Sequence, residues 1–584
     1  MNETVVVMTI RTSLLAFVSV AFAASLALAE PPAGQDKPTL GHTAKASRTA
    51  GGRFKTGSSN VAVIDPPVAH PDEKPCQVPL YTNAQFGADN VNFTYTPPAN
   101  CPGPYATIVL KVDISLNAGI QYDRSGTIWI GGVPLWFGTT AEPSPSLGPS
   151  WTFERDVTDY TSLLNTQQSG FVLIANYTNS QDTSIITTSA KLLFYPVPQG
   201  GTAPTVPDVI VPLAAPGGGT VTLNTGSDVL AIDQTLPTNI AAANLDLYLQ
   251  GQSNDEFWYT CVPNDLANEL ESCGGGSFRE GEISVDGAPA GVAPVYPWIF
   301  TGGIDPYLWI PMPGVQTLDF KPFRVPLTPF AGVLSNGQTA HQIALSLYGA
   351  NGYFSVAGAL MLYLDHNGSQ TTGNVTENTL AAVPNPVVKN KLVNNGGEIT
   401  GTLDTRAPHN FTIAGTVVTS AGSGQYTVKQ NTLFKNDQTF DISNTVYEQD
   451  IQQSTDTTVT TTASSPSGTV EQVSKYSYPL TVDIDETPIT GGKEQLVSTI
   501  SQAFQDDTHT SNNGVTTKST LLDSIDTTDT LILSQSGQLI GHNSQSSTAN
   551  YAAKATGQRC VGRTLTAANN ELTSAIKKCE KPQN

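Results

Sequence analysis

From Cys76 onward the chain repeats one device: a short run of β-branched, aliphatic and aromatic residues, then a turn marked by Gly, Pro or Asn. Tyr105-Ala106-Thr107-Ile108-Val109-Leu110-Lys111-Val112, Phe171-Val172-Leu173-Ile174-Ala175-Asn176-Tyr177 and Ala190-Lys191-Leu192-Leu193-Phe194-Tyr195 are examples. Such side chains suit a pleated, half-buried surface, whereas Gly and Pro interrupt regular elements. Helical spacing of apolar residues is almost absent, so a helix would have no face to bury. Many short strands bounded by turn signals predict an all-β protein built from sandwiches or jelly rolls. A chain of 584 residues needs more than one core.

Composition divides it. Residues 1–29 read as a secretory signal peptide: Arg11 precedes the apolar run Leu14-Leu15-Ala16-Phe17-Val18, and Ala27-Leu28-Ala29 supplies a small-x-small cleavage site. Residues 30–74 have no periodicity and read as a flexible leader. Two β-rich blocks follow, 75–197 and 206–368, joined by the Pro- and Gly-rich linker around Pro196-Val197-Pro198-Gln199-Gly200-Gly201. Residues 369–584 are rich in Ser, Thr, Gln and Asp and contain runs such as Thr455-Asp456-Thr457-Thr458-Val459-Thr460, which suit exposed strands of a β-rich C-terminal region. No later segment is long and apolar enough to span a bilayer. A secreted or periplasmic protein, monomeric and outside the membrane, is expected.

The six cysteines agree with an oxidising compartment. They fall into sequence-local pairs, Cys76 with Cys101, Cys261 with Cys273 and Cys560 with Cys579, and nearest-neighbour pairing is the simplest arrangement. No Cys/His cluster has metal-ligand spacing, so neither metal nor cofactor is expected. A net charge of −21 argues against nucleic acid and anionic membranes, which reward Lys/Arg patches.

Nucleophile motifs are absent: none of the seven histidines stands in a Ser-His or Cys-His pattern. Carboxylates remain. Asp123-Arg124 sits beside the β-rich run Gly126-Thr127-Ile128-Trp129-Ile130, Glu142 follows Leu135-Trp136-Phe137-Gly138-Thr139-Thr140, and Glu256 lies in Asp255-Glu256-Phe257-Trp258-Tyr259. Hydrolysis of an amide or glycosidic bond without metal or thiol commonly needs a carboxylate base for water and a proton donor for the leaving atom. An arginine beside the base holds it ionised and stabilises oxyanion charge. Neighbours in a regular strand point to opposite faces, so Asp123 and Arg124 converge only if the strand ends or bulges there. On these residues alone a surface ion pair outweighs catalysis. Arg155, Asp156 and Asp159 read as structural, and the six tryptophans read first as core fillers and second as sugar platforms.

Ordered blocks change that balance. Tyr122-Asp123-Arg124 with Trp129-Ile130-Gly131-Gly132, Thr140-Ala141-Glu142-Pro143 leading to Trp151, Asp156-Val157-Thr158-Asp159-Tyr160, Asp255-Glu256-Phe257-Trp258-Tyr259, Phe278-Arg279-Glu280-Gly281 and Phe300-Thr301-Gly302-Gly303-Ile304 together resemble the peptide-N-glycosidase A family over about residues 75–365. The Asp-Arg block is also similar to that of a flavobacterial peptide-N-glycosidase, whose aspartate is the principal catalytic residue between two jelly rolls. The resemblance implies two tandem eight-stranded jelly-roll domains. It implies hydrolysis of the bond between the asparagine side-chain amide and the first N-acetylglucosamine of N-glycosylated peptides and proteins, giving aspartate and a glycosylamine, in acid and with tolerance of core fucose. Asp123 then takes the catalytic role with Arg124 beside it, and Glu256 or Glu142 is the second acid. A third acid of the flavobacterial enzyme aligns near Asn176, which is not ionisable, so that Glu142, Glu280 or no residue at all supplies the missing carboxylate. Trp136, Trp151, Asn176, Trp258, Tyr259, Arg279 and Glu280 are the expected substrate-binding residues. The rival readings are a secreted endoglycosidase acting on N-glycans and a non-catalytic glycan-binding protein.

Overall fold

The computed structural model describes residues 54–577 except 88 and 338, together with Cys579. The expected signal peptide and the first half of the leader lie outside these residues.

The first block folds into β1 (Cys76–Gln85), β2 (Val91–Tyr95), β3 (Tyr105–Leu116), β4 (Ser125–Ile130), β5 (Val133–Thr139), β6 (Ser150–Asp156), β7 (Gln168–Ile174) and β8 (Ile186–Pro196). They form two four-stranded sheets, ordered β1-β8-β3-β6 and β2-β7-β4-β5. Every pairing is antiparallel, and this interleaving of an eight-strand run between two sheets is the jelly-roll order. Ile108, Leu110, Val112, Ile128, Ile130 and Val172 fill the space between the sheets. The Cys76–Cys101 disulfide ties the start of β1 to the loop before β3.

The second block repeats the order. Its strands are β9 (Val209–Leu213), β10 (Val221–Thr225), β11 (Val229–Gln234), β12 (Ile240–Gln252), β13 (Glu280–Val285), β14 (Ala288–Pro294), β15 (Phe323–Pro326), β16 (His341–Tyr348) and β17 (Asn351–Leu364). One sheet runs β10-β17-β12-β15 and the other β11-β16-β13-β14. The extra strand is an interruption rather than a new element. β9 pairs with residues 358–362 of β17 and β10 with residues 351–356, so the two share one edge that Gly217, Gly218 and Gly219, all at positive φ, break between them.

The two rolls join side by side. Thr139 N–H donates to Thr317 O and Phe320 N–H to Phe137 O, which extends the edge of β5 with a segment of the second roll. Phe137 packs edge-on against Phe320, and Trp136 donates its indole N–H to Leu318 O. Arg155 pairs with Asp319, while Arg324 joins Asp159 to Asp246, all largely buried. These are the structural roles expected of Arg155 and Asp159, and Asp156 accepts from Thr158 N–H in the turn after β6.

The C-terminal region is one twelve-stranded antiparallel sheet. Its strands are β18 (Thr372–Asn378), β19 (Val387–Asn390), β20 (Val393–Asn394), β21 (Ile399–Thr419), β22 (Gly422–Ile442), β23 (Tyr447–Ser465), β24 (Gly468–Ile489), β25 (Lys493–Asn512), β26 (Val515–Ser534), β27 (Leu539–Ala555), β28 (Val561–Ala568) and β29 (Glu571–Lys577). The sequence suggests exposed strands here, but alternate residues are buried. Phe411, Phe434, Ile451, Leu480, Val482, Ile500 and Ile525 share one core with the second roll. The same face buries Gln430, Asn436, Gln438, Gln449, Gln453 and Gln502. The amides of Gln430, Asn436, Gln438, Gln449 and Gln502 donate to backbone carbonyls of the second roll, which offsets the usual cost of burying them, while Gln453 accepts from Asn436 through Oε1 and leaves its Nε2 without a partner.

The described half of the leader is packed chain. Ala62 N–H donates to Pro311 O, Gly57 N–H to Leu572 O, Arg563 to the carbonyls of Ile64 and Asp65, and His70 stacks on Tyr195. It bonds the second roll and the C-terminal sheet through its backbone and the first roll through the side chains of Asn60 and His70, contacts that leave no hydrophobic periodicity in its sequence. The Cys261–Cys273 and Cys560–Cys579 pairs are formed, as nearest-neighbour pairing predicts.

Candidate active site

Asp123 and Arg124 lie in the loop between β3 and β4, one residue before the strand begins, so the alternation of a regular strand does not separate them. Arg124 N–H donates to the Thr140 hydroxyl at 2.9 Å and Thr140 N–H to Arg124 O at 3.0 Å. This fastens the loop to the chain leaving β5, which carries Glu142. Asp123 N–H then donates to Glu142 Oε1 at 3.2 Å.

The second roll supplies the rest. Glu256 falls between two short 3-10 turns that follow β12, Ser253–Asp255 and Trp258–Thr260, and Ser253 takes positive φ to start the reversal. Gly302, in the loop after β14, donates its N–H to Asp123 Oδ2 at 3.3 Å, while the Thr301 hydroxyl donates to Thr140 O at 2.7 Å. Asp123, Glu142 and Glu256 therefore meet where the two rolls touch.

Burial dominates their electrostatics. The Asp123 carboxyl is pushed up to about 6 by desolvation, against which the Gly302 N–H and the Arg124 charge pull it down. Glu142 is pushed up to about 8 by burial and then by the negative charge of Asp123. Glu256, 5% exposed, is raised well above the usual carboxylate range by burial and by both other acids. Three carboxyls that cannot all ionise sort themselves into a base that titrates first and two acids that hold their protons. The Asp123 and Glu142 side chains lie within hydrogen-bonding reach of each other, which one proton between them satisfies, whereas Glu256 Oε1 is buried with no hydrogen-bond partner, the condition of a group left open to a ligand.

Arg124 makes no ion pair with Asp123. Its Nε and Nη2 both donate to Gln121 Oε1, at 3.0 and 2.6 Å. Gln121 in turn donates through Nε2 to Asn176 Oδ1 and Tyr177 O, both at 3.0 Å. The guanidinium also lies over the Tyr122 ring at 5.6 Å. This rail fixes the amide of Gln121, because a guanidinium has donors only. Asn176 enters the site only through Gln121.

The other expected binding residues sit elsewhere. Trp136, Trp151 and Trp258 are 1%, 5% and 2% exposed and fill cores, so none offers a ring face to a sugar. Arg279 closes a fully buried ion pair with Asp255 at 2.8 Å. Glu280 bonds His409 of the C-terminal sheet at 2.6 Å, and desolvation there raises its carboxyl. Tyr259 is buried with its hydroxyl unpartnered, and Glu256 is the neighbouring charge that with burial raises it. Sequence reasoning missed Gln121, Thr140 and Gly302. The first adjoins the Asp-Arg pair and the other two stand inside quoted blocks, but nothing local marks what they touch.

The C-terminal sheet holds both loops of the second roll. Asn436 Nδ2 donates to Tyr259 O at 2.9 Å, Gln449 Nε2 to Thr260 O at 3.2 Å and Gln438 Nε2 to Cys261 O at 3.1 Å, just after Glu256. Thr527 donates to Leu308 O at 3.0 Å and Asn570 to Tyr307 O at 2.7 Å, just after Gly302.

The family model for peptide N-acetyl-β-D-glucosaminyl asparaginase amidase A matches residues 67–381, more than half of the chain. A relative from Prunus dulcis, peptide-N4-(N-acetyl-β-glucosaminyl)asparagine amidase A, is 30% identical over 387 residues, 62% of this chain and 66% of that protein. Among solved structures, PNGase F, a glycosylasparaginase from Flavobacterium meningosepticum, aligns over 50% of this chain and 96% of its own at 15% identity and a TM-score of 0.32. PNGF-II aligns over 50% and 66% at 12% identity and a TM-score of 0.34. On the extent of the first match, the chain belongs to the peptide N-acetyl-β-D-glucosaminyl asparaginase amidase A family.

Proposed function

We propose that this protein is an amidase that hydrolyses the bond between an asparagine side chain and the first N-acetylglucosamine of an N-glycan, releasing aspartate and a glycosylamine. The observation that carries the reading is the convergence of Asp123, Glu142 and Glu256 at the seam of two jelly rolls, with their proton affinities driven apart. Family membership supports the choice of bond.

Asp123, ionised once pH exceeds about 6, orients and deprotonates water for attack on the amide carbonyl. Glu142, protonated below about 8, donates to the leaving nitrogen. Glu256, also protonated, polarises the amide, and Arg124 faces the charge that develops on the carbonyl oxygen. An ionised Asp123 and a protonated Glu142 coexist between about pH 6 and about pH 8, which brackets the working range; activity in acid is part of the proposal through the family resemblance alone. Tolerance of core fucose and export belong to the same proposal, and the three disulfides support export.

Incubation of a defined glycopeptide in heavy-oxygen water tests it. An amidase places the label in a new aspartate, an endoglycosidase leaves one sugar on asparagine, and a binding protein releases nothing. D123N should lower release about a thousandfold while leaving the thermal transition in place; glycan release at the wild-type rate would remove Asp123 from the mechanism.

A further inference from the structure

The loop that brings Gly302 to Asp123 is itself held at a second carboxylate pair, Asp305 and Asp529. Asp305, 1% exposed, accepts from Tyr307 N–H with Oδ1 at 2.9 Å and begins the short turn Pro306–Trp309. Its Oδ2 is buried and has no donor. Facing it is Asp529, on the inner face of β26 and equally buried, whose Oδ1 lies 2.6 Å from His542 Nε2 on β27. Asp529 Oδ2 is likewise buried without a donor. The two side chains are within hydrogen-bonding reach of each other. Two carboxylates cannot bond without a proton, and one proton between them satisfies both orphaned oxygens.

Tyr307 stacks on the His542 ring at 4.2 Å, and the cross-strand neighbours of Asp529 are the uncharged Ser498 and Gln545. His542 is the ring that presents its Nε2 to the pair, at Asp529 Oδ1. Tension on the turn passes back through short links: Asp305 N–H donates to Gly303 O at 2.8 Å, Trp309 Nε1 donates to the same carbonyl at 2.8 Å, and Gly303 N–H donates to Phe300 O at 2.9 Å. Gly302 sits inside that knot.

Resting on the reading of Asp123 as the reacting base, we propose that Asp305, clasped to Asp529 and His542 of the C-terminal sheet through a shared proton, is the positioning residue that keeps the Gly302 amide on Asp123. The long C-terminal sheet is thereby a working part of the site. The clasp holds while the shared proton is present. Burial and the facing acid raise Asp305 to about 8 and Asp529 to about 6, so the proton is retained in acid and lost as pH rises through the higher value.

The test uses the full-length chain with D529A, D529N and H542A. Removing the clasp weakens the Gly302 donor, so Asp123 holds its proton more tightly. D529A should move the acidic limb of the kcat/KM profile up by about one pH unit, with a much smaller change on the plateau. It should also speed hydrogen exchange in the peptide covering residues 298–312 about tenfold, after correction for intrinsic rates. D529N, whose amide can donate to Asp305 at every pH, should restore the wild-type limb and keep the loop protected above pH 8. H542A should shift both readouts in the direction of D529A by less. An unchanged limb and unchanged exchange in D529A, or in H542A if D529A does not fold, overturns the proposal, as does a D529N protein that behaves like D529A. If wild-type protein releases no glycan, the amidase reading fails, whereas the exchange of residues 298–312 still decides the clasp.

Discussion

Substituting Gly302 by alanine tests the site at its tightest point. A Cβ there would stand 2.3 Å from Glu142 Oε1 and 3.0 Å from Asp123 Oδ1, against ordinary contact at 3.4 Å or more. Gly302 is not in the left-handed region, so alanine adds no backbone strain and the conflict is with the two carboxylates alone. Glu142 is held by the Asp123 N–H and is the atom that must yield, by about 1 Å, and a misplacement of that size costs on the order of a hundredfold in rate. Overpacking of this kind costs about 1–3 kcal/mol, a change in Tm of a few degrees. G302A should therefore fold, melt slightly early and release glycan from a defined glycopeptide about a hundredfold more slowly. G303A provides the comparison, because the nearest neighbours of its Cβ would be Ile299, Phe300 and Phe257, none closer than 3.2 Å, and neither carboxylate is among them. Glycan release by G302A above a third of the wild-type rate, or an equal loss in G303A, would refute the assignment of Glu142 and Asp123 to the reacting centre.

Three further outcomes are expected. Asp123 and Glu142 both have folded-state proton affinities above their ordinary values, so their contribution to stability is full below about pH 4 and lost as pH rises through about 6 and about 8. E142Q removes the second of these, and its Tm should fall less than the wild-type Tm between pH 6 and pH 9; parallel curves would argue against a buried, protonated Glu142. Opening the Cys261–Cys273 loop with the paired serine variant should cost about 2–3 kcal/mol and, because the loop follows Tyr259, lower glycan release as well; denaturant midpoints and release rates check the two parts separately. Q121A should leave the guanidinium of Arg124 without its acceptor and reduce kcat about tenfold with little change in KM, whereas a loss confined to KM would mean that the rail serves binding alone.

The features legible in the amino-acid sequence are local ones. The alternation of apolar and polar residues with Gly, Pro and Asn turns marks strands because side chains in a strand change face at every residue. Short spacing marks the three disulfides, and the absence of nucleophile and metal motifs leaves carboxylates as the chemistry. The pair Asp123-Arg124 is visible for the same reason: its members are adjacent in the chain. Which distant groups meet that pair depends on how the two rolls pack. Glu142, Glu256 and Gly302 reach Asp123 from separate loops of two rolls, and no periodicity records a contact across an interface between domains. The tryptophans could be read as sugar platforms or as core until their burial settled it. The C-terminal region was the hardest to read. Its Gln, Asn, Thr and Asp residues look like a solvated surface, yet many face inward, and Asn436, Thr527 and Asp529 among them meet the backbone carbonyls of the site loops or the acid at Asp305. Polarity in a sequence shows that a side chain needs a hydrogen-bond partner; only the fold shows whether that partner is water or the backbone that carries the active site.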